Sequence, residues 1–304
     1  MVLLTGATGF VGGHMLRHLL AAGYKVRCLV RPSPKVDKLR QAGVEIRDGD
    51  ILNRKSLEGA LPGIEQVIHL VGIILERGPA TFARIHHEGT RNLVSAAQQA
   101  GVKRYLQMSA LGARDAPQAT PYHRTKGLAE QEVIRSGLPY VIFRPAIIFG
   151  PHDGFVTQMV GLLRPWYIPI IPIVGTGRYP LQPIFIDNVC QAFVQALTND
   201  KATNKIFDLG GPEVLTSEKV MDLIAAALGV KKPKLRQPLW FMRLNAALME
   251  TLLPLVGLTP PVTCDQLQML EEGSGCDMRP ALDTFDLKLV RFADGLKTYV
   301  TPAR

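Results

Sequence analysis

Tyr122 and Lys126 are the two side chains whose types and spacing best suit proton transfer. Residues four apart lie on one face of a helix. A phenol, with a pKa of about 10, is a poor acid or base at neutral pH until a nearby cation stabilises the phenolate. The pair can therefore exchange a proton with an alcohol or a carbonyl group, which contributes about 10²–10⁴ in rate.

The element that must position this pair is a helix over residues 121–136, closed by Gly137. Proline is tolerated at a helix start, and glycine commonly ends one. An apolar strand at residues 104–108 precedes this helix. The Tyr–Lys spacing is common by chance, but it is much rarer on a helix that follows a strand of a nucleotide-binding sheet.

Three glycines predict that such a sheet is present. Gly6, Gly9 and Gly12 lie where an apolar strand, residues 1–4, becomes a helix, residues 10–22. The first glycine permits a tight turn, the second lets the backbone approach a pyrophosphate, and the third lets helix and strand pack closely. The pattern predicts dinucleotide binding, and the alternative is a purely structural glycine-rich turn.

Arg31 bears on which dinucleotide is bound. It lies 19 residues after Gly12, where an acid would bond the ribose 2′-hydroxyl of NAD. An arginine there, with Arg27 and Lys35 nearby, can pair with the 2′-phosphate of NADP through charge-assisted hydrogen bonds. The sequence predicts NADP(H), with NAD(H) as the alternative if Arg31 is only a surface residue.

Alternating strands and helices set the fold class. The order predicts an α/β fold with a Rossmann-type doubly wound parallel sheet and a smaller C-terminal α/β lobe. We expect the dinucleotide-binding domain at 1–150, with 183–211 returning to the sheet, and the smaller lobe at 151–182 and 212–304. Further strands are predicted at residues 25–30, 44–50, 66–72, 140–144 and 205–211, and helices at 83–100 and from 216 or 217 to 228.

Composition narrows the class of protein. The chain of 304 residues is 47% hydrophobic and 20% charged, as in ordinary globular proteins. Its net charge of +9 comes from dispersed Lys and Arg, which predicts solvated surface rather than nucleic-acid binding. Four scattered cysteines and a strand at the first residue predict a cytoplasmic protein. His14 and His18 lack a third ligand, so no metal site is predicted.

The apolar stretch at residues 239–258 raises the question of a membrane. Arg243, Asn245 and Glu250 fall within it and Pro254 breaks it, so a spanning helix is not predicted. A helix of the smaller lobe and an interfacial helix lying on a bilayer both stay open.

Taken together, these motifs resemble the extended and atypical branches of the short-chain dehydrogenase/reductase superfamily. Among its branches, the sequence is most similar to the nucleotide-binding accessory subunit of respiratory complex I and its bacterial relatives. The matching segments are residues 5–12, 49–51, 67–70, 88–93, 144–151 and 184–187, Tyr122 with Lys126, and the branch-specific stretches 85–90, 108–113 and 263–272.

The resemblance implies roles for individual residues. It implies that Tyr122, Lys126 and Ser109 are catalytic, that Lys126 also bonds the nicotinamide ribose, and that Asp50 and Ile51 hold the adenine. The remaining cofactor contacts implied are Thr5, Gly6, Thr8, Gly9, Phe10, Val11 and Gly12 at the pyrophosphate, Leu70, Val71 and Gly72 along the cofactor, and Pro145 and Ile148 at the nicotinamide, beside Arg31 and Lys35. Two positions depart from the family: Leu111 stands where active members carry Ser or Thr, and His86 replaces an asparagine.

Two functions stay open. The first is an NAD(P)-dependent oxidoreductase or epimerase/dehydratase acting on an alcohol or carbonyl of a small molecule such as a nucleotide sugar. The second is a non-catalytic NADP(H)-binding accessory or assembly subunit of a membrane redox complex, peripheral to the inner membrane. The resemblance also implies a homodimer formed through the helices at 83–100 and 121–136.

Overall fold

The parallel sheet is the framework of the first of two units into which the chain divides. The computed structural model describes residues 1–33, 36–253 and 257–302. Unit 1 comprises Met1–Pro145, Ile186–Leu209 and Asp277–Lys288, and unit 2 comprises Ala146–Phe185, Gly210–Cys276 and Leu289–Arg304. Residues 277–288, assigned to the smaller lobe from the sequence, thus belong to unit 1.

Unit 1 contains seven parallel strands among its described residues, in the order β11-β6-β5-β4-β1-β2-β3. The order reverses between β1 and β4, which is where such sheets bind ligands at the carboxyl ends of their strands. The strands are β1 (Val2–Thr5), β2 (Val26–Val30), β3 (Glu45–Asp48), β4 (Gln66–His69), β5 (Arg104–Met108), β6 (Tyr140–Pro145) and β11 (Lys205–Leu209).

Helices complete unit 1. The helix predicted over 83–100 is instead a π-helical segment, Ala83–Glu88, that continues as an α-helix. Widened turns of this kind frequently occur at functional sites. The helices are α1 (Phe10–Ala21), α2 (Val36–Gln41), α3 (Arg54–Ala60), α4 (Gly89–Gln99), α5 (Pro121–Arg135), α7 (Ile186–Ala196), a 3-10 turn (Asp200–Ala202) and α11 (Arg279–Leu282).

One apolar core lies on the face of the sheet that α3, α4 and α5 cover. Leu3, Val67 and Tyr105 on the strands are fully buried, as are Leu93 on α4 and Val133 on α5. Strands whose residues are buried on both faces read as continuous apolar runs, which is why the sequence pattern located them.

Unit 2 consists of short strand pairs and helices. Thr216 caps α8 by accepting a hydrogen bond from Lys219 N–H, and Gly229 ends that helix with φ +70°, as its cap residues predict. Its elements are β7 (Ile148–Phe149), α6 (Phe155–Leu163), β8 (Ile171–Val174), β9 (Pro180–Leu181), β10 (Ile184–Phe185), β12 (Leu215–Thr216), α8 (Ser217–Leu228), β13 (Lys234–Gln237), α9 (Leu239–Leu252), α10 (Cys264–Glu272) and α12 (Phe292–Lys297).

Residues 239–252 of the apolar stretch that raised the membrane question form α9. Pro254 lies outside the described residues. Over the described parts of the chain, none of the helices combines the length and hydropathy needed to cross a bilayer.

Candidate functional site

The glycine turn after β1 has the geometry that the sequence predicts. Gly6 adopts φ +82°, and a Cβ there would lie 3.1 Å from the backbone of Leu70 and Val71. A Cβ at Gly12 would lie 2.1 Å from the Gly6 carbonyl oxygen. Only glycine fits this close approach of helix to turn. Gly9 is exposed at the start of α1, whose first turn has neither a side-chain cap nor an acidic residue.

Thr5, by contrast, faces inward. Its side chain is fully buried and its hydroxyl lies 2.6 Å from His69 Nδ1. His69 Nε2 lies 3.2 Å from the hydroxyl of Thr90. Burial, and then the charge of Lys126, lower the pKa of His69 to about 3, so the ring is neutral. The contact between Thr5 and His69 joins the ends of β1 and β4. Sequence reasoning missed this contact, although His69 lies within a family motif.

The loop after β3 is held where the adenine was predicted to bind. The Asn92 side chain donates to the Ile51 carbonyl (3.2 Å) and accepts from Arg54 Nε (3.2 Å). A Cβ at Gly89 would lie 2.4 Å from Ile51 Cδ1. Asn92 and Gly89 therefore position the loop of Asp50 and Ile51 from α4. Both lie in the 88–93 motif, which was the available signal.

The three cations near the expected 2′-phosphate differ in their exposure and in their hydrogen-bond partners. Arg31 follows β2 with its side chain 72% exposed, and its Nη1 lies 4.0 Å from Asp50 Oδ2. Arg27 is buried, donating to the carbonyls of Ala60 (2.8 Å) and Pro62 (2.6 Å) and pairing with Glu45. Arg27, which the sequence places near the expected 2′-phosphate, is thus a structural residue. Lys35 lies outside the described residues.

The Tyr122–Lys126 pair lies on α5 as predicted. Lys126 is buried, and its Nζ donates to the Met108 carbonyl on β5 (3.3 Å). A Cβ at Gly72 would lie 3.0 Å from this ammonium, so the loop after β4 passes directly over it. Burial lowers the pKa of Lys126 to about 8, against the opposing effect of Glu130.

Aromatic rings hold the Tyr122 side chain. Its ring makes edge contacts with Phe82, His86 and His123 at centroid distances of 5.7, 5.4 and 5.6 Å. Burial raises the pKa of Tyr122 to about 12. Desolvation thus favours the protonated phenol.

His86 links the loop after β4 to α5. Its Nδ1 lies 3.0 Å from the Thr125 hydroxyl, which lies 2.9 Å from the Pro121 carbonyl. If Thr125 donates to Pro121, it accepts from His86 Nδ1–H, leaving Nε2 to accept from Ile73 N–H (3.1 Å). Burial, followed by the charge of Lys126, lowers the pKa of His86 to about 2. The neutral ring therefore ties the loop after β4 to α5.

The remaining residues of the candidate site, Ser109, Leu111 and Ile148, follow strands β5 and β6. Ser109 is buried, and its Oγ has no hydrogen-bond partner among the described residues. Leu111 is half-buried and its N–H donates to the Pro145 carbonyl (3.0 Å). Ile148 lies in unit 2 on β7, where it pairs with Ile184.

A buried ion pair joins helix α5 to strand β6. Glu130 lies two turns after Tyr122, and its carboxylate is bound by Arg144 through Nε at 2.8 Å and Nη2 at 2.5 Å. The Glu130 side chain is 4% exposed and that of Arg144 28%. This two-pronged contact joins α5 to β6 and fixes the face that carries the Tyr–Lys pair. Sequence reasoning did not find it, because the partners are 14 residues apart on different elements.

These residues fit a dinucleotide. The close approach at Gly12 leaves a bare helix start for a pyrophosphate. The Ser109 hydroxyl, which has no partner within the described part of the chain, offers a hydrogen bond. The exposed Arg31 and the loops carrying Asp50 and Leu70 follow neighbouring strands at the same edge of the sheet.

Comparisons with known proteins identify the family to which the chain belongs. The family model described as NAD(P)H-binding matches residues 6–157, half of the chain. The chain is 34% identical over 176 residues to the ceramide reductase of Caulobacter vibrioides, a match that covers 58% of this chain and 54% of that protein. It is 29% identical over 231 residues to NADH dehydrogenase (ubiquinone) 1 alpha subcomplex subunit 9 of Arabidopsis thaliana, covering 72% of this chain and 56% of that protein. The chain thus spans about half the length of these two relatives.

A solved structure confirms the predicted fold class. The Citrobacter sp. triphenylmethane reductase complexed with NADP(H) superposes with a TM-score of 0.76 at 21% identity, over 98% of this chain and 99% of that chain. The glycine turn, the Tyr–Lys helix and the family match all indicate the same family. The chain therefore belongs to the NAD(P)H-binding family, within the extended group of short-chain dehydrogenases/reductases.

Proposed function

We propose that this protein is an NADP(H)-dependent reductase of a carbonyl group, in which Tyr122 donates the proton. The observation that carries the proposal is the placement on α5 of a half-buried Tyr122 one helical turn from the buried ammonium of Lys126. The reductases among the relatives and fold neighbours support the same class of reaction.

The protonation state of Tyr122 favours reduction over oxidation. Because burial raises the pKa of Tyr122 to about 12, the phenol keeps its proton at neutral pH. Bound NADPH supplies a hydride to the carbonyl carbon. The carbonyl oxygen then gains negative charge and takes the phenol's proton, whereas alcohol oxidation would need the phenolate at the outset.

Lys126 stabilises the product of that proton transfer. Its pKa of about 8 leaves most of the ammonium charged at neutral pH. The phenolate that Tyr122 becomes is stabilised by this cation one helical turn away. Met108 and the loop after β4 hold the ammonium in place, and Glu130 favours its charged form.

Arg31 supports NADP(H) over NAD(H) as the cofactor. Its guanidinium is exposed at the end of β2 and makes a long contact, 4.0 Å, with Asp50. A 2′-phosphate would give it a charge-assisted partner. We expect NADPH to raise the melting temperature more than NADH does, and Arg31→Asp to reverse the order. The matched control Arg40→Asp changes an exposed arginine on α2. Equal shifts from the two cofactors in the unaltered protein would contradict this assignment.

The composition of residues 155–174 favours a largely apolar substrate. Residues 155–174 contain one cation, Arg164, which donates to the Thr301 carbonyl (3.2 Å). The diphosphate of a nucleotide sugar would need cations that this segment does not offer. We therefore infer a carbonyl compound with an apolar body.

Substitution of Tyr122 tests the reaction. Tyr122→Phe keeps the ring contacts and removes the ionisable hydroxyl, so turnover should fall by about 10²-fold while NADPH affinity stays unchanged. Lys126→Met should lower both turnover and affinity. The measurements are NADPH oxidation with a panel of apolar aldehydes and ketones, and calorimetric titration of NADPH. Tyr122→Phe with undiminished turnover would refute the assigned role.

Leu111 favours a second candidate, a non-catalytic NADP(H)-binding subunit of a membrane redox complex. Its side chain has no hydroxyl at the position where active family members carry one. The similarity to a subunit of NADH dehydrogenase (ubiquinone) points in the same direction. NADPH binding with no turnover on any substrate of the panel, in both the unaltered protein and a Leu111→Ser variant, would favour this candidate over the reductase.

A further inference from the structure

Helix α9 presents an apolar face to solvent. Trp240, Leu244, Leu248 and Leu252 recur every four residues and are 68, 54, 50 and 56% exposed. At 100° per residue these positions span one side of the helix. Ala246 is the single buried residue of α9 within the described part of the chain. The face is thus apolar, continuous and uncovered.

Helix α8 of the same unit shows what an ordinary amphipathic helix does here. Its apolar residues Val220, Ile224 and Leu228 have the same four-residue spacing, yet all three are buried. The exposure of α9 is therefore a property of that helix rather than of unit 2. Contiguous exposed apolar surface marks an interaction site.

The chain leading into α9 is basic. No Asp or Glu occurs between Asp222 and Glu250, while this interval contains Lys231, Lys232, Lys234, Arg236 and Arg243. Lys234 and Arg236 pair with Glu218 and Asp222. The four cations that precede α9 exceed these two carboxylates, so the segment leading into α9 keeps excess positive charge. Arg243, on α9 itself, pairs with Glu271 of α10.

A second exposed aromatic site adjoins this basic segment. Lys232 Nζ donates to the carbonyls of Leu163 and Pro165, both at 2.7 Å. The loop that follows carries Trp166 and Tyr167, which are 88 and 68% exposed. One exposed tryptophan thus follows a carbonyl that Lys232 binds, and the other follows the basic segment in the chain. Trp and Tyr concentrate at membrane–water interfaces, because their rings are apolar at one end and polar at the other.

We propose that this surface, formed by α9, residues 231–236 and the loop of Trp166 and Tyr167, docks on an anionic lipid bilayer. The apolar face of α9 enters the headgroup region, and the cations meet lipid phosphates. A helix of 14 residues is too short to span a bilayer and can lie along it. A second copy of the chain fits less well, because the excess positive charge of both copies would meet across a two-fold axis.

The experiment uses the full chain and its own fluorescence. The two tryptophans of the sequence, Trp166 and Trp240, both lie on the proposed surface. We expect their emission to shift to shorter wavelength, and the protein to co-sediment, with vesicles of phosphatidylcholine and phosphatidylglycerol in equal parts. Neither change is expected with phosphatidylcholine alone, and high salt should weaken binding.

Variants identify the surface. The double change Leu244→Gln and Leu248→Gln removes apolar area from the exposed face and should weaken vesicle binding by about tenfold or more. The matched control Leu282→Gln changes an exposed leucine of α11 in unit 1 and should bind as the unaltered protein does. Thermal melting of each variant establishes that it folds.

Three results would overturn the proposal. The first is absence of binding to the anionic vesicles. The second is an equal loss of binding in Leu282→Gln and in the double variant. The third is a dimer in sedimentation velocity that the double variant converts to a monomer, since α9 would then be a self-association surface.

Discussion

Replacing Gly12 by alanine tests the geometry of the cofactor turn. The added Cβ would lie 2.1 Å from the Gly6 carbonyl oxygen and 2.7 Å from Ala7 Cα. Ordinary carbon contacts lie at about 3.5–4.0 Å, so the turn and α1 must separate by more than about 1 Å. Both contacted atoms are backbone, so no side-chain rotation can relieve the clash.

Gly13, the next residue of α1, provides a matched control. A Cβ there has no neighbour within 4 Å. Gly13→Ala should raise the free energy of unfolding by about 1 kcal/mol through helix propensity alone. Gly12→Ala gains the same propensity but carries an overpacking cost of about 1–3 kcal/mol. The difference between the two variants therefore isolates the packing cost at Gly12.

The assay compares denaturant unfolding and NADPH titration for both variants. Separation of the turn from α1 displaces the N–H groups expected to meet the pyrophosphate, so NADPH affinity should fall at least about tenfold in Gly12→Ala, equivalent to about 1.4 kcal/mol. Gly13→Ala should bind as the unaltered protein does. If Gly12→Ala matches Gly13→Ala in both stability and affinity, the turn does not have the proposed role.

Three further predictions follow from the site. Burial lowers the pKa of Lys126 to about 8, so the ammonium is charged below that pH and neutral above it. Carbonyl reduction should therefore slow as the pH rises through about 8. A kcat profile that stays flat up to about pH 9 would contradict this. Arg144→Met leaves the Glu130 carboxylate buried without its partner and should lower the free energy of unfolding by about 3 kcal/mol in denaturant titrations. The control Arg40→Met, at an exposed ion pair, should lower it by less than about 1 kcal/mol. Similar losses in the two variants would refute a special role for the buried ion pair. Light scattering should report a homodimer formed through α4 and α5, and a monomer at micromolar concentration would count against it.

Local patterns in the sequence predicted most of unit 1. Strands β1, β2, β4, β5 and β6 are largely buried and read as mainly apolar runs. The glycine turn requires a conformation that only glycine adopts without strain. Tyr122 and Lys126 lie one turn apart on a helix whose beginning and end can be recognised from the residue types at those positions. These features depend on neighbours a few residues away, so the order of residues is sufficient to predict them.

The tertiary structure decided features that depend on distant partners. Arg27 resembled a phosphate contact in sequence, but its hydrogen bonds to Ala60 and Pro62, more than 30 residues away, make it part of the sheet. The fate of His86 depends on Thr125, 39 residues further along the chain.

Burial was likewise decided by tertiary structure. Sequence periodicity marks both α8 and α9 as apolar, and only the packed chain shows that one is covered and the other exposed. The protonation of Tyr122 follows the same rule, since desolvation depends on the surrounding rings and not on the spacing to Lys126. Sequence therefore determined which groups are present and in which local geometry, while their exposure and charge state came from contacts between residues far apart in the chain.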